Sequence, residues 1–369
     1  MRHSALILIG LLLLTPARAS DVDTFKAAWS AYDAAMQTDD TQQRVDAARA
    51  VVDAGKVIFE ESDERLTTIT HNYGIALADH GDKEQAAEAY KEALRLGELA
   101  FGKQSSRLIV ILSDLADSTA EVYSPATQMK HYRRALKIAE AEFGKQSIEY
   151  ADLAFRKSHN VYTLSISTDA RKDMKVAREI YASLPEPRTQ NVALSDYFLG
   201  RMEFSAYNYR RSSEHLELAL DGFSGPDDSS QKQALRLMTR ALLVQAYESR
   251  GLSEEATEHC IAIGRDTQFS PDQDYAPIFR IAPVYPASML SAGKMGYVDL
   301  EFTVNESGFV EDVTIVNRVV DGKPKERRSD FDKAALDAVQ KFRYAPRFVD
   351  GKAVASSGVQ TRISFKIES

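Results

Sequence analysis

The chain has 369 residues, with 46 Lys and Arg against 54 Asp and Glu and a formal net charge of −8. Residues 20–275 hold 30 basic and 42 acidic side chains while residues 276–369 hold 14 and 12, so the main body lacks the basic footprint that nucleic-acid binding requires. Cys260 is the single cysteine, which excludes an intramolecular disulfide, and it reads as a buried, inert helix residue.

The N-terminus carries the parts of a secretory signal peptide over residues 1–19. Arg2 and His3 precede the apolar run ALILIGLLLL from Ala5 to Leu14, and Pro16 and Ala17-Arg18-Ala19 supply a small-x-small cleavage site. Ten helical residues at about 1.5 Å each reach roughly half of a hydrocarbon core of about 30 Å. The mature chain is therefore expected to be exported and to start at Ser20, without a membrane span. A retained N-terminal anchor is the alternative.

An internal repeat follows, and residues 20–268 are expected to form a helical-repeat domain. YKEALRLGELAFGKQS from Tyr90 and YRRALKIAEAEFGKQS from Tyr132 lie 42 residues apart, with FGKQS intact. One period earlier, Gly55 matches Gly97 and Phe59 matches Phe101; later, Ala177 and Ala219 keep the register of Ala93 and Ala135. Each period holds two helical patterns. His71 to Gly81 carries Tyr73, Ala76 and Leu77 at helical spacing, Asp82 is placed to cap the next helix, and Ala86, Tyr90, Ala93 and Leu94 share one face. About six helix pairs are expected from Asp21 to Asp266, interrupted at residues 38–40, 185–187 and 225–228. Gly74, Gly81, Ala86, Tyr90 and Ala93 sit where tetratricopeptide repeats have their small and aromatic residues, so residues 64–144 resemble that family. The resemblance implies stacked pairs with a concave, protein-binding face. It places His71, Ile75, Asp117, Phe155, His159, Tyr197, Arg201 and Gln245 along the groove. Phe155, His159, Tyr162, Tyr197 and Phe204 read first as packing between helices.

Residues 269–276 are expected to be a linker, because Pro271, Pro277, Pro283 and Pro286 arrive together where the helical periodicity stops. From Gly296 the pattern becomes that of strands. Val298, Leu300, Phe302 and Val304 point one way and Tyr297, Asp299, Glu301 and Thr303 the other. After the turn at residues 305–308, FVEDVTIVN gives a second strand. A polar loop holding Lys323, Lys325, Arg327 and Arg328 leads to a helix with a buried stripe of Phe331, Ala335, Ala338, Val339 and Phe342. Past the Asp350-Gly351 turn, the last strand puts Val359, Thr361, Ile363, Phe365 and Ile367 inward. Residues 277–369 thus read as a small α+β domain with a three-stranded antiparallel sheet.

APVYP from Ala282, Gly296 opening a strand, and the G-x-V-x-x-V-x-I of Gly308, Val310, Val313 and Ile315 resemble the TonB C-terminal domain family. So do FDKAALDAVQKFRYAP from Phe331 and the closing Phe365-Lys366-Ile367. Phe342 stands where many members have Trp, and the loop over residues 318–330 is long and basic. The resemblance implies that the last strand takes an extended peptide such as the TonB box of an outer-membrane transporter. Its counterpart here is Gly358, Val359, Gln360, Thr361, Arg362, Ile363, Ser364 and Phe365; the outward Arg362 and Lys366 would either favour an acidic ligand or guard the edge against aggregation. Domains of this type exchange strands, which would make a homodimer.

The resemblance implies TonB-associated transport, but the Pro-rich spacer of an energy transducer is replaced by helix pairs. The expected function is a periplasmic adaptor in which both domains bind proteins; a membrane-anchored transducer is the alternative. An enzyme is the rival class. The chain has no G-x-x-x-x-G-K-[ST], G-x-S-x-G or H-E-x-x-H, and its histidines do not fall at metal spacing. Asp272-Gln273-Asp274 lacks the Gly and Glu that complete a calcium loop. No catalytic residue, metal or cofactor is expected.

Overall fold

A computed structural model describes residues 16–122, 124–162, 168–225, 229–267 and 275–367. The apolar run of the expected signal peptide, the Asp272-Gln273-Asp274 run and most of the expected linker lie outside the described residues. The chain divides into two compact units, one ending at Pro187 and the other starting at Arg188.

The first unit holds four helix pairs: α1 (Pro16–Ala35) with α2 (Thr41–Ile58), α3 (Glu64–His80) with α4 (Lys83–Phe101), α5 (Leu108–Val122) with α6 (Pro125–Phe143), and α7 (Ile148–Tyr162) with α8 (Thr168–Ser183). Local chemistry sets their ends. Asp40, Asp63 and Asp82 each cap a helix by accepting a backbone N–H within its first turn, and Gly81 ends α3 at φ 94°. The recurrent FGKQS has the same job twice. Gly102 and Gly144 end α4 and α6 at φ 83° and 85°, and three residues on Ser105 and Ser147 donate their N–H groups back to those glycines' carbonyls, both at 3.2 Å. A side chain at either glycine would be strained, so the sequence is kept because the turn is kept.

The small residues of the repeat hold the helices close. A β-carbon on Gly74 would come within 2.6 Å of the Tyr90 ring, so α3 lies directly on the aromatic of α4. A β-carbon on Gly97 of α4 would likewise come within 2.8 Å of Leu108 of the following pair. Gly74→Ala is thus expected to cost about 1–3 kcal/mol by overpacking. Trp29, the only Trp and part of this unit's core, reports it as a lowered urea midpoint of fluorescence.

The second unit begins with two more pairs, α9 (Thr189–Ser205) with α10 (Tyr209–Gly222) and α11 (Ser230–Glu248) with α12 (Ser253–Asp266). Among the described residues the paired helices therefore number twelve and end at Asp266, as the repeat predicts. Cys260 lies on α12 fully buried, and burial pushes its thiol up to about 12, which makes it inert.

The C-terminal domain follows in the expected order: α13 (Ala287–Ser291), β1 (Gly296–Val304), β2 (Val310–Val320), α14 (Asp330–Val339) and, last, β6 (Ser356–Phe365). The alternating residues of β1 are all buried, as are the five residues of the predicted α14 stripe. They form one core with Val359, Ile363 and Phe365 of β6. The sheet has four strands where three were expected, in the order β3-β2-β1-β6, because β2 turns back into β3 (Lys323–Pro324). A separate hairpin of β4 (Arg347–Val349) and β5 (Lys352–Val354) surrounds the Asp350-Gly351 turn. Ile367 was expected to face inward. It is 39% exposed, because β6 ends at Phe365 and the alternation in the sequence outlasts the strand.

Candidate strand-accepting edge

β6 pairs with β1 in antiparallel register from Gly296↔Phe365 to Phe302↔Val359. It is the last strand in the sheet order, so among the described residues its far side faces no partner strand. An edge strand leaves alternate N–H and C=O groups unpaired, and these can accept one further strand. Of the helices that pack on the domain, α12 lies on the β4–β5 hairpin and α14 on β1 and β2.

The eight expected edge residues divide by role. Gly358 stands in a bulge, at φ 72°, where the register slips between Phe302 and Val304. Val359, Ile363 and Phe365 are buried in the core, Thr361 is half-buried, and Gln360, Arg362 and Ser364 are exposed. The regular stretch is the seven residues from Val359 to Phe365. The opposite margin, β2, is a poorer template. Its register slips twice against β1, Asp312 sits at φ 52°, Glu311 and Asp312 project into solvent, and β3 covers its end.

Arg362 does not present a bare charge. Its guanidinium donates to both oxygens of Asp299, at 2.6 and 3.0 Å, and lies 3.8 Å over the ring of Tyr297. The hydrogen bond from Arg362 holds the Asp299 carboxyl below the usual carboxylate range. Gln360 likewise donates to Glu301 across the pair, at 2.8 Å. These side chains brace β6 on β1, so what the edge offers a guest is backbone. Lys366 stands exposed just past the strand.

Several of the helical residues singled out for a groove are engaged with neighbouring helices. His71 of α3 bonds Asp114 of α5 at 2.7 Å, and Arg156 of α7 bonds both Asp114 and Asp117 at 2.6 Å. Asp117 also accepts from Tyr132 and from Asn160. Burial favours neutral Asp114, but His71 and Arg156 outweigh it and hold its carboxyl below the ordinary value. This ladder joins three successive first helices: His71 and Asp114, Asp114 and Arg156, and Asp117 and Asn160 stand 43, 42 and 43 residues apart, and Arg156 also reaches Asp117, 39 residues back. The repeat period could have found it; reading the helices one by one did not. Ile75 packs half-buried against the α3–α4 core. Phe155 stacks near His159 and meets Tyr181 of α8 edge-on, while Tyr197 meets Phe223 at the C-terminal cap of α10 and lies under Arg201. The side chain of Tyr162 lies outside the described residues.

Among the described residues no group of three or more His, Cys, Asp and Glu is placed to hold a metal ion, and no helix is long and apolar enough to cross a membrane.

The described residues thus form helical-hairpin repeats followed by a small α+β domain with one regular open edge. Residues 281–367 match the family described as the Gram-negative bacterial TonB protein C-terminal. Over 97 residues the chain is 32% identical to Protein TonB of Pseudomonas aeruginosa, covering 26% of each chain. The chain thus spans about a quarter of that relative's length. The helices are similar to those in the crystal structure of BtubC (BKLC) from P. vanneervenii, with a TM-score of 0.50 at 18% identity over 71% of this chain and 99% of that one. That likeness is one of fold. A putative kinesin light chain from Podospora anserina, described as having nearly identical TPR-like repeats, is also similar. Its TM-score is 0.47 at 15% identity, over 57% of this chain and 99% of that one.

Proposed function

We propose that this chain is a non-enzymatic periplasmic adaptor of TonB-associated transport or of the cell envelope. Its C-terminal domain takes an extended segment of a partner protein as an added strand on β6, and its helical pairs hold a second protein. The observation that supports this reading is the regular, unbulged run from Val359 to Phe365 at the sheet margin, beside a far margin that is bulged and charged. Main-chain hydrogen bonds supply the affinity, and with Arg362 committed to Asp299 the ligand need not be acidic. Outer-membrane transporters with a TonB-box-like segment are the partner class that the family match suggests. Secretion through a cleaved signal peptide completes the reading, and recovery of a mature protein that still carries residues 1–19 would favour an anchored transducer instead.

Proline scanning of β6 tests the mode. Successive N–H groups of an edge strand point alternately into the sheet and out of it, and proline is tolerated only where the N–H points out. Full-length protein carrying proline at Gln360, Thr361, Arg362 or Ile363 is compared for sheet circular dichroism and for capture of envelope proteins, each identified by mass spectrometry. One alternate set keeps the fold, and within that set capture of the same partner is expected to fall at least about tenfold, the loss of one or two ladder hydrogen bonds. Undiminished capture by a folded variant of that set sinks strand addition.

A further inference from the structure

Arg343, at the corner between α14 and β4, is the largest side chain among those almost fully buried in the described residues, at 1% exposure. Its backbone belongs to the C-terminal domain. The N–H donates to the carbonyl of Phe279 at 3.1 Å, and its own carbonyl accepts from Ile278 at 2.7 Å. Its guanidinium reaches out of the domain. One terminal nitrogen donates to Glu248, the last residue of α11, and to the Ser253 carbonyl at 3.3 Å. The other donates to the Thr257 hydroxyl of α12 at 2.7 Å and to the Ser307 carbonyl, in the β1–β2 turn, at 3.1 Å. The ring of Phe309 lies 3.6 Å beneath.

The apolar contact around this anchor is small. Ile278 and Phe279, together with Tyr247 and Ile263, pack on Val244, Ala256 and Cys260 of the helix pair. A side chain at Gly264 of α12 would overlap the carbonyl of Pro346, so backbone meets backbone there without interdigitation. A permanent core is built from apolar side chains. A buried ion pair adds little net stability beside an apolar substitute, yet it penalises heavily any arrangement that leaves one charge buried alone. It therefore selects one docking geometry. Contacts between domains of one chain are commonly of this more polar kind, and where they are not large and hydrophobic, relative motion of the domains is the default.

We propose that the joined face of α11 and α12 is a docking surface for the C-terminal domain, fastened by Arg343, and that it releases as a step of its own before either part unfolds. Docked, the helix pair and the sheet form one rigid body in which β6 keeps its free margin. Released, the β1–β2 turn and the face of α12 are uncovered. The inference stands whether or not β6 takes a guest strand.

The chain carries its own reporter. Cys260, the only thiol, lies beneath this contact, its β-carbon next to Gly308 of the β1–β2 turn. The rate at which the full chain reacts with Ellman's reagent at pH 8 is measured against urea concentration for wild type, Glu248→Gln and Thr257→Val. Both substitutions lie on the helices and leave the domain's own sequence intact. Wild type is expected to react at least roughly 100-fold more slowly than the chain in denaturing urea, with a shallow urea dependence, because undocking exposes little surface. Each variant is expected to react at least about tenfold faster with its helical circular dichroism unchanged, the effect of losing a hydrogen bond to a charged group. The proposal is overturned if Cys260 of native wild type reacts like the denatured chain, or if both variants keep the wild-type rate. It is equally overturned if labelling follows the steep urea slope of global unfolding, or if a variant loses helix together with protection, since docking and folding would then be one transition.

Discussion

Phe331→Ala is expected to destabilise the C-terminal domain by about 3–5 kcal/mol, the usual cost of deleting a buried aromatic ring. Phe331 opens α14 and is fully buried. Its ring stacks on Phe365 with centroids 4.2 Å apart and meets Tyr285 edge-on at 5.6 Å. Three elements therefore lose a neighbour at once: the entry segment, the helix and the last strand. Phe365 is the final residue of β6, paired with Gly296, so the damage reaches the candidate edge. Hydrogen exchange should show faster amides from Ile363 to Phe365, and partner capture should weaken in step. Trp29 lies in the other unit and serves as the reference, with its fluorescence midpoint expected to hold. A loss below about 1 kcal/mol would mean that the stack does not organise the core, because even one buried methylene is worth roughly that much.

How much of this was readable beforehand depended on the range of the interaction. Alternation in Val298, Leu300, Phe302 and Val304 and the stripe of α14 are local periodicities, and the structure buries every one of those residues. The Asp82 cap is local backbone chemistry and was equally visible, whereas the FGKQS turns announced themselves only as a repeated string. The missed strands had a local sign as well. Asp321-Gly322 and Asp350-Gly351 both adopt positive φ at both residues, 51° and 74°, 50° and 75°. That is the two-residue hairpin turn that Asp-Gly favours. Each joins strands of two or three residues on at least one side, too short for alternation to announce.

The remaining features are long-range. Outward-facing Arg362 was legible from alternation, but its neutralisation by Asp299 follows from the register that sets 299 opposite 362. Arg343 sits in FRYAP, where the sequence suggests a domain motif and nothing more. Its partner Glu248 is 95 residues upstream and on a helix of the repeat pattern. A buried charge leaves no periodic trace, so the contact that fastens helices to sheet was invisible until the chain was folded.

Gly308→Ala gives the sharpest test of that corner, because a second glycine supplies its control. Gly308 adopts φ 81° in the turn after β1, where Asn305 accepts the N–H groups of Ser307 and Phe309 at 3.0 Å. Its carbonyl accepts from Tyr344 at 3.0 Å, and a β-carbon would overlap the Tyr344 carbonyl oxygen. Gly322 adopts φ 74° in the β2–β3 turn with nothing within 4 Å of a β-carbon. Both alanine variants carry the same conformational cost, about 1 kcal/mol. Only Gly308→Ala must also push two backbones apart and give up the Tyr344 hydrogen bond, which adds about 2 kcal/mol or more. For a domain of about 90 residues, about 3 kcal/mol corresponds to a fall of roughly 12–24 °C in Tm, against about 4–8 °C for Gly322→Ala. Cys260 should also become more reactive in Gly308→Ala alone, since it packs on that turn. Equal losses in the two variants would mean that φ alone sets the cost and that the turn does not press on Tyr344. A tight corner at Gly308 is what keeps Ser307 within reach of Arg343, so a turn free to move would also loosen the fastening of the domain to α11 and α12.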